Sequence, residues 1–246
     1  PIFVHNDPFT YTGNFEAAAR ELRYRFFVEI VRREGYQGVL IGHHQDDLLE
    51  TYIMQESKNI VPEYYGLREE MLMHGVLFKR PLLHMTKEEL VTYCKEHQLR
   101  YYIDVTNLSD EYTRNQIRHE IVEPMTAFER TAYLHEIKQR NAVMQERRCR
   151  VKTYIREEKI SLETYRVLSQ DDRLTMLRMF VEKVPHYSLK HLQGIDHTIM
   201  HAGDFMIPLD GFSLVSDGTY LLKYIPEEPY NYVFYSLEEL QNIRKE

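Results

Sequence analysis

Cysteine is nearly absent: Cys94 and Cys149 are the only two in 246 residues, far apart and in no CxxC pair. That usage excludes a disulfide framework and a thiolate metal site. Glycine is also scarce, with ten residues and no two adjacent, so neither common kind of glycine-rich phosphate loop can be written along the chain. No apolar run approaches the roughly 18 residues needed to cross a bilayer. The first residues, PIFVHNDPFT, lack a basic region followed by an apolar stretch, and the chain reads as cytoplasmic, with no membrane partner. Positive charge is in deficit, 31 Lys and Arg against 38 Asp and Glu for a net −7, which argues against an overall basic nucleic-acid binder.

What is present describes a soluble globular protein. Hydrophobic content of 43% can fill a core, with 28% charged and 12% aromatic residues. The length exceeds the roughly 100 to 200 residues of one ordinary domain, which favours two domains over one. The basic residues are also concentrated. Between Arg130 and Arg156 stand eight Lys or Arg (130, 138, 140, 147, 148, 150, 152, 156) against Glu136 and Glu146.

Periodicity predicts a first helix over 14–34, capped by Asn14, with Phe15, Ala19, Leu22, Phe26 and Ile30 on its apolar face and Gly35 as its stop. Val39, Leu40 and Ile41 then form a short buried strand ending at Gly42, and a second helical pattern runs through Leu48, Leu49, Tyr52 and Ile53. Helix, strand, helix is the rhythm of a parallel α/β sheet. Residues 58–75, broken by Pro62, Gly66 and Gly75, read as a long surface loop or a pair of short turns. Thr86 and Glu89 form a capping box for a helix with Leu90, Tyr93 and Cys94 inside, followed by a short strand at Tyr101–Ile103 closed by Asp104. A helix from Ser109 and Asp110 runs to about Val122, and a basic helical segment runs from Thr126 to about Glu158. Beyond it, Ser161, Ser169 and Ser188 stand at helix starts, with an apolar stripe at Leu174, Leu177, Val181 and Val184. Strands are expected at 205–207, 212–215 and 219–224, with Asp210-Gly211 and Asp217-Gly218 turns between them, and Ser236 and Glu239 cap a last helix.

Three clusters carry chemistry. The run His43-His44-Gln45-Asp46-Asp47-Leu48-Leu49-Glu50-Thr51 stands at the carboxyl end of a predicted strand, where open α/β sheets bind ligands. Asp47 and Glu50 are three apart, Asp46 and Glu50 four apart, so their carboxylates share a helical face and repel unless a metal ion, a substrate ammonium or an arginine sits among them. The bland alternative is that Asp46 or Asp47 only caps the helix. The second cluster is Asp104-Val105-Thr106-Asn107 with Tyr112, Arg114, Asn115 and Arg118; the two arginines, four apart, could clamp a phosphate or carboxylate, or form a solvated face. The third, Arg20, Arg23, Tyr24 and Arg25, reads more readily as an ion-paired surface. His84, His97, His119 and His135 show no metal-ligand spacing, and no metal site can be assigned.

In order along the chain, these clusters resemble the tRNA(Ile)-lysidine synthetases, a branch of the N-type ATP pyrophosphatase superfamily. The matching segments are Asn14 to Tyr24, His43 to Thr51, Arg80-Pro81-Leu82-Leu83, and DVTNLSDEYTRNQIR from Asp104 to Arg118, the last being the most specific. The resemblance implies a partial α/β PP-loop-type catalytic domain over 1–125, a basic helical linker over 126–158 and a small α+β tRNA-recognition domain over 159–246. It implies ATP-dependent ligation of lysine to C2 of the wobble cytidine of a tRNA(Ile) with a CAU anticodon, through an adenylated intermediate, with AMP displaced and lysidine formed. Asp47, Glu50, Arg114 and Arg118 are then the expected catalytic residues. Asp46, His43, His44, Arg20, Arg23, Asp104, Asn107 and Asn115 are the expected substrate contacts, and Arg140, Arg147, Arg148, Arg150 and Lys152 the expected tRNA contacts. ATP, Mg2+, free L-lysine and the tRNA are the implied cofactors and partners, and a homodimer stays open. The physics is compatible: an amine needs carboxylates, and a nucleotidyl transition state needs fixed positive charge.

The family's SGGxDS loop does not occur in these 246 residues, and Gln55-Glu56-Ser57-Lys58-Asn59 replaces the usual Arg-Gly-rich stretch. The chain is therefore expected to begin inside the family pattern and to be inactive without an ATP loop. Two other readings remain, a noncatalytic tRNA-binding remnant and a tRNA cytidine 2-thiolase; the latter should carry cysteine pairs for an iron-sulfur cluster, which the isolated Cys94 and Cys149 oppose.

Overall fold

The computed structural model describes residues 1–5, 15–58, 62–102, 113–181, 188–209 and 211–225. They form two compact units, residues 1–142 and 143–246.

In the first unit, helix α1 (Phe15–Glu34) leads to strand β1 (Gly38–Leu40), helix α2 (Gln45–Ser57), strands β2 (Glu70–Met73) and β3 (Val76–Lys79), and helix α3 (Lys87–Glu96). The sheet order is β1-β3-β2, with β1 parallel to β3 and β2 antiparallel to it. Close pairing of β1 with β3 depends on Gly38, because a Cβ there would lie 2.4 Å from the carbonyl oxygen of Leu77. α1 covers the sheet with Tyr24, Val28 and Val31, packed against Val76 and Phe78. The buried face is thus turned from the predicted stripe: Leu22 and Phe26 are only half-buried, and Ile30 alone of the stripe's described side chains is fully inside. Tyr24, a polar aromatic, fills the core position because its ring packs on Phe27 and Phe78.

The loop expected over 58–75 contains a hairpin instead. Glu70–Met73 pairs with Val76–Lys79 around His74 and Gly75, both at positive φ (49° and 79°), the geometry of a tight two-residue hairpin turn. Four-residue strands with no β-branched residue in the first hide from a periodicity scan, and the apolar-His-Gly-apolar pattern was the available signal. Thr86 and Glu89 do form the reciprocal capping box that opens α3, but no residue of that helix is fully buried, and Tyr93 is exposed. Tyr101 and Tyr102 form no strand, and Ile103 lies outside the described residues.

Helix α4 (Thr113–Ile117) passes into a π-helical turn (Arg118–Val122), and α5 (Ala127–Lys152) follows after Pro124. Thr126 and Glu129 cap α5 reciprocally. A second core forms where Leu49 and Tyr52 of α2 meet Ile117, Val122 and Ile137. α5 ends at Lys152, short of the predicted Glu158, because Glu157 and Glu158 take positive φ (50° and 57°) and turn β4 (Ile155–Arg156) into β5 (Lys159–Ser161).

The second unit is a five-stranded antiparallel sheet, β4-β5-β8-β7-β6, with β6 (Met206–Leu209), β7 (Phe212–Ser216) and β8 (Tyr220–Tyr224). Helices α6 (Leu162–Val167), α7 (Gln170–Phe180) and α8 (Leu189–His201) begin at Ser161, Ser169 and Ser188, each hydroxyl accepting a backbone N–H, as the sequence predicts. α7 stops at Phe180, and its buried face is Met176, Leu177 and Phe180; Val184 and Pro185 lie outside the described residues. In this core the Asp196 carboxylate accepts from the Tyr165 hydroxyl (2.7 Å) and from Arg173 Nε (2.8 Å) and Nη2 (3.1 Å). The chain as a whole is thus α/β, a sheet with parallel pairing plus a separate small antiparallel sheet. Among the described residues no helix is long and apolar enough to cross a membrane.

Candidate active site

The site is assembled at the amino end of α2, just beyond the carboxyl end of β1. His44 is the N-cap: its Nδ1 accepts from Asp46 N (3.3 Å), and Asp47 Oδ2 accepts from His44 N (2.9 Å). A histidine here takes the part usually played by Ser, Thr, Asn or Asp. Gln45 N donates to the carbonyl of Met85 (2.9 Å), which fixes the helix start against the segment after β3.

Asp47 and Glu50 face α4, and Glu50 is 0% exposed. Glu50 Oε2 accepts from Arg114 Nε (2.7 Å) and Arg118 Nη2 (3.1 Å), and its Oε1 accepts from Arg118 Nε (2.6 Å). Asp47 Oδ1 accepts from Arg114 Nη2 (2.6 Å). Two carboxylates and two guanidiniums thus neutralise one another, and the repulsion expected along α2 is answered by arginines. Burial is the largest influence on Arg118 and works against its charge, but the Glu50 hydrogen bond together with the negative charges of Glu50, Asp47 and Glu123 outweighs it and holds the guanidinium above its ordinary pKa. Arg114 is the exposed member, its side chain 36% accessible against 16% for Arg118.

Asp46 does not join this group, although it is four residues from Glu50. It is buried against Arg130 Nη1 of α5, which also reaches the Gln45 amide, while Arg130 Nη2 donates to the carbonyl of Val122 (3.2 Å). His43 is half-buried, and its Nδ1 accepts from Arg80 Nε (2.9 Å). Burial pushes this ring down to about 4; Asp47 opposes that, while Arg80, Arg114 and Arg20 add to it. Arg20 is exposed and lies over the Tyr24 ring (4.8 Å), close enough to act on His43, and Arg23 is exposed on α1. Asn115 is buried on α4. Asp104 and Asn107 lie outside the described residues.

Three of the five basic residues expected to touch tRNA are ion-paired, each with partners of its own unit. Arg140 donates to Glu56 and Glu136 and stacks on Tyr52 and Tyr65. Arg147 pairs with Asp171 (3.0 Å) and Asp172 (3.5 Å), and Arg150 with Asp172 (2.6 Å). Arg148 is half-buried and Lys152 exposed. Arg80 and Arg130 are the members of the site's framework that sequence reasoning missed; Arg80 stood in a segment already singled out, and its lone charge among Pro and Leu was the signal.

For a resident metal the donor set does not fit. Among the described residues no group of three or more His, Cys, Asp or Glu could hold an ion, and Asp46, Asp47 and Glu50 already accept guanidinium donors.

The fold and this arrangement define an α/β domain with a charged site at a strand's end, and the chain belongs to the PP-loop domain family, whose model matches residues 3–125. Its similarity to curated proteins is more particular. It is 40% identical over 105 residues to the tRNA(Ile)-lysidine synthase of Ureaplasma parvum serovar 3, covering 43% of this chain and 32% of that protein. It is 35% identical over 122 residues to the enzyme of Mesoplasma florum (50% and 31%), and 34% over 123 residues to that of Mycoplasma pneumoniae (49% and 43%). The matched part spans 31 to 43% of the length of these relatives.

Proposed function

We propose that this chain supplies the lysine-binding wall and part of the tRNA-binding surface of a tRNA(Ile)-lysidine synthase. The observation that carries the reading is the ion-paired quartet of buried Asp47 and Glu50 with Arg114 and Arg118, set at the end of a parallel strand in a PP-loop domain. In the proposed reaction the C2 oxygen of the cytidine attacks the α-phosphorus of ATP and pyrophosphate leaves. The lysine amine then attacks C2, sheds its extra proton, and AMP departs with the former C2 oxygen.

The chain's own contribution follows from its charges. Asp47 is the entry acid: an ammonium arriving at Oδ1 replaces the Arg114 guanidinium there, while Glu50 stays neutralised by Arg118. Arg114, more exposed than Arg118, is then released toward the anionic side of the substrate, where a fixed cation stabilises phosphate charge as AMP leaves. Arg118 stays with Glu50 and keeps the wall from collapsing.

The test is AMP release by the intact protein supplied with ATP, lysine and a tRNA carrying a CAU anticodon. Release that requires both lysine and the tRNA is expected. Tight tRNA binding with no release would replace this reading by a noncatalytic tRNA-binding role.

A further inference from the structure

Arg80 directly follows β3 and is 2% exposed, yet it pairs with no carboxylate among the described residues. Its guanidinium is spent on three neutral acceptors: Nη1 donates to the carbonyl of Arg68 (2.7 Å), Nη2 to the Tyr24 hydroxyl (3.4 Å) and Nε to His43 Nδ1 (2.9 Å). The parallel pairing of β1 with β3, extended by Ile41 N donating to the Lys79 carbonyl (2.8 Å), sets His43 and Arg80 side by side. A guanidinium has no acceptor. The nitrogen it faces must therefore carry a lone pair, which leaves the ring's proton on Nε2. Among the described residues no hydrogen-bond partner stands at Nε2.

We propose that Arg80 is a positioning residue that fixes His43 as the neutral Nε2–H tautomer, so that His43 offers a fixed hydrogen-bond donor to a substrate oxygen and is barred from accepting the proton of the attacking amine. The substrate half of this rests on the lysidine synthase reading; the tautomer half does not. Charged groups face the ring from every side: Arg20 from α1, Asp47 from α2, Arg114 from α4 and Arg80 from the end of β3. Asp47 alone favours a charged ring, and burial with the three arginines prevails, pushing the ring from 6.5 down to about 4. A base that must collect a proton near neutrality needs a pKa near the working pH, and this histidine has neither that pKa nor an open lone pair.

The test uses the intact protein labelled with 15N in its histidine rings. The His43 signal is assigned by its loss in His43→Gln and followed in long-range 1H–15N spectra. At pH 7 and at pH 5.5 His43 is expected neutral, protonated at Nε2 alone. A ring protonated at Nδ1, or charged at pH 5.5, overturns the proposal.

The kinetic arm compares two amides. Gln can place its NH2 where Nε2–H stands and Asn cannot, so His43→Gln retains part of the AMP release while His43→Asn falls on the order of a hundredfold. Asn outperforming Gln would contradict the donor role. Arg80→Lys should let His43 populate both tautomers and titrate nearer its ordinary value; should that variant fail to fold, the wild-type spectrum and the His43 pair still decide. If no AMP is released although the ring is fixed at Nε2, the functional reading fails and the Arg80 assignment stands.

Discussion

Glu50 is the residue on which the site's stability turns, because a fully buried carboxylate holding two guanidiniums cannot be removed without leaving charge unpaired in the interior. Breaking such a pair from one side costs about 3 to 5 kcal/mol, so Glu50→Gln is expected to lower the unfolding free energy of the first unit by an amount near the low end of that range, read as a lower urea midpoint. An unchanged midpoint would mean that the quartet contributes nothing to the fold. His43 gives a pH signature. Its ring stays neutral in the folded chain down to about 4, while the unfolded chain takes up the proton near 6.5, so acidification between those values favours unfolding. Stability should therefore fall from pH 7 to pH 5 in the wild type, and His43→Gln should flatten part of that slope. The acid and arginine clusters were legible in the sequence as patterns, but not as one object. Glu50 lies 64 residues from Arg114 and 68 from Arg118, and only the folded chain shows that each cluster is the other's counterion. Asp46 illustrates the reverse: spacing placed it with Glu50, and Arg130 takes it to another face.

Local chemistry made some elements readable and others not. Thr86 with Glu89, and Ser161, Ser169 and Ser188, could be read because a cap is a bond between near neighbours. The β2–β3 hairpin could not, since its strands are short and its place in the sheet depends on pairing with β1 some 39 residues away, Gly38 opposite Leu77. That pairing yields a contrast between two glycines of similar setting in the sequence. Gly38→Ala would drive a Cβ onto the Leu77 carbonyl, whereas at Gly42 nothing lies within 4 Å of the added atom. Overpacking of this kind costs about 1 to 3 kcal/mol, so thermal unfolding should show Gly38→Ala clearly destabilised and Gly42→Ala close to wild type. Equal shifts would remove the argument that β1 and β3 need a glycine between them.

At the scale of the molecule, the acidic chain gathers seven of its 31 Lys and Arg on one long helix, α5, and the ion pairs sort that charge into two kinds. Arg140, Arg147 and Arg150 are committed to carboxylates, while Lys138 and Lys152 are exposed. If α5 contributes to a tRNA surface, the double substitution Lys138→Ala with Lys152→Ala should reduce the salt dependence of tRNA affinity by about one to two phosphate contacts without loss of fold. Arg140→Ala should instead act on stability, through its stacking on Tyr52 and Tyr65 and its hold on Glu56. An unaltered salt slope in the lysine pair would place the tRNA surface elsewhere. The proposed function depends on Asp47 receiving an ammonium in exchange for Arg114, and the most direct measurement is the lysine and ATP dependence of AMP release by the intact Asp47→Asn protein. The apparent KM for lysine is predicted to rise at least tenfold while that for ATP stays within about twofold, a split that signals lost ground-state binding of one substrate. Equal rises for both substrates, or a fall in kcat with both KM values unchanged, would contradict it.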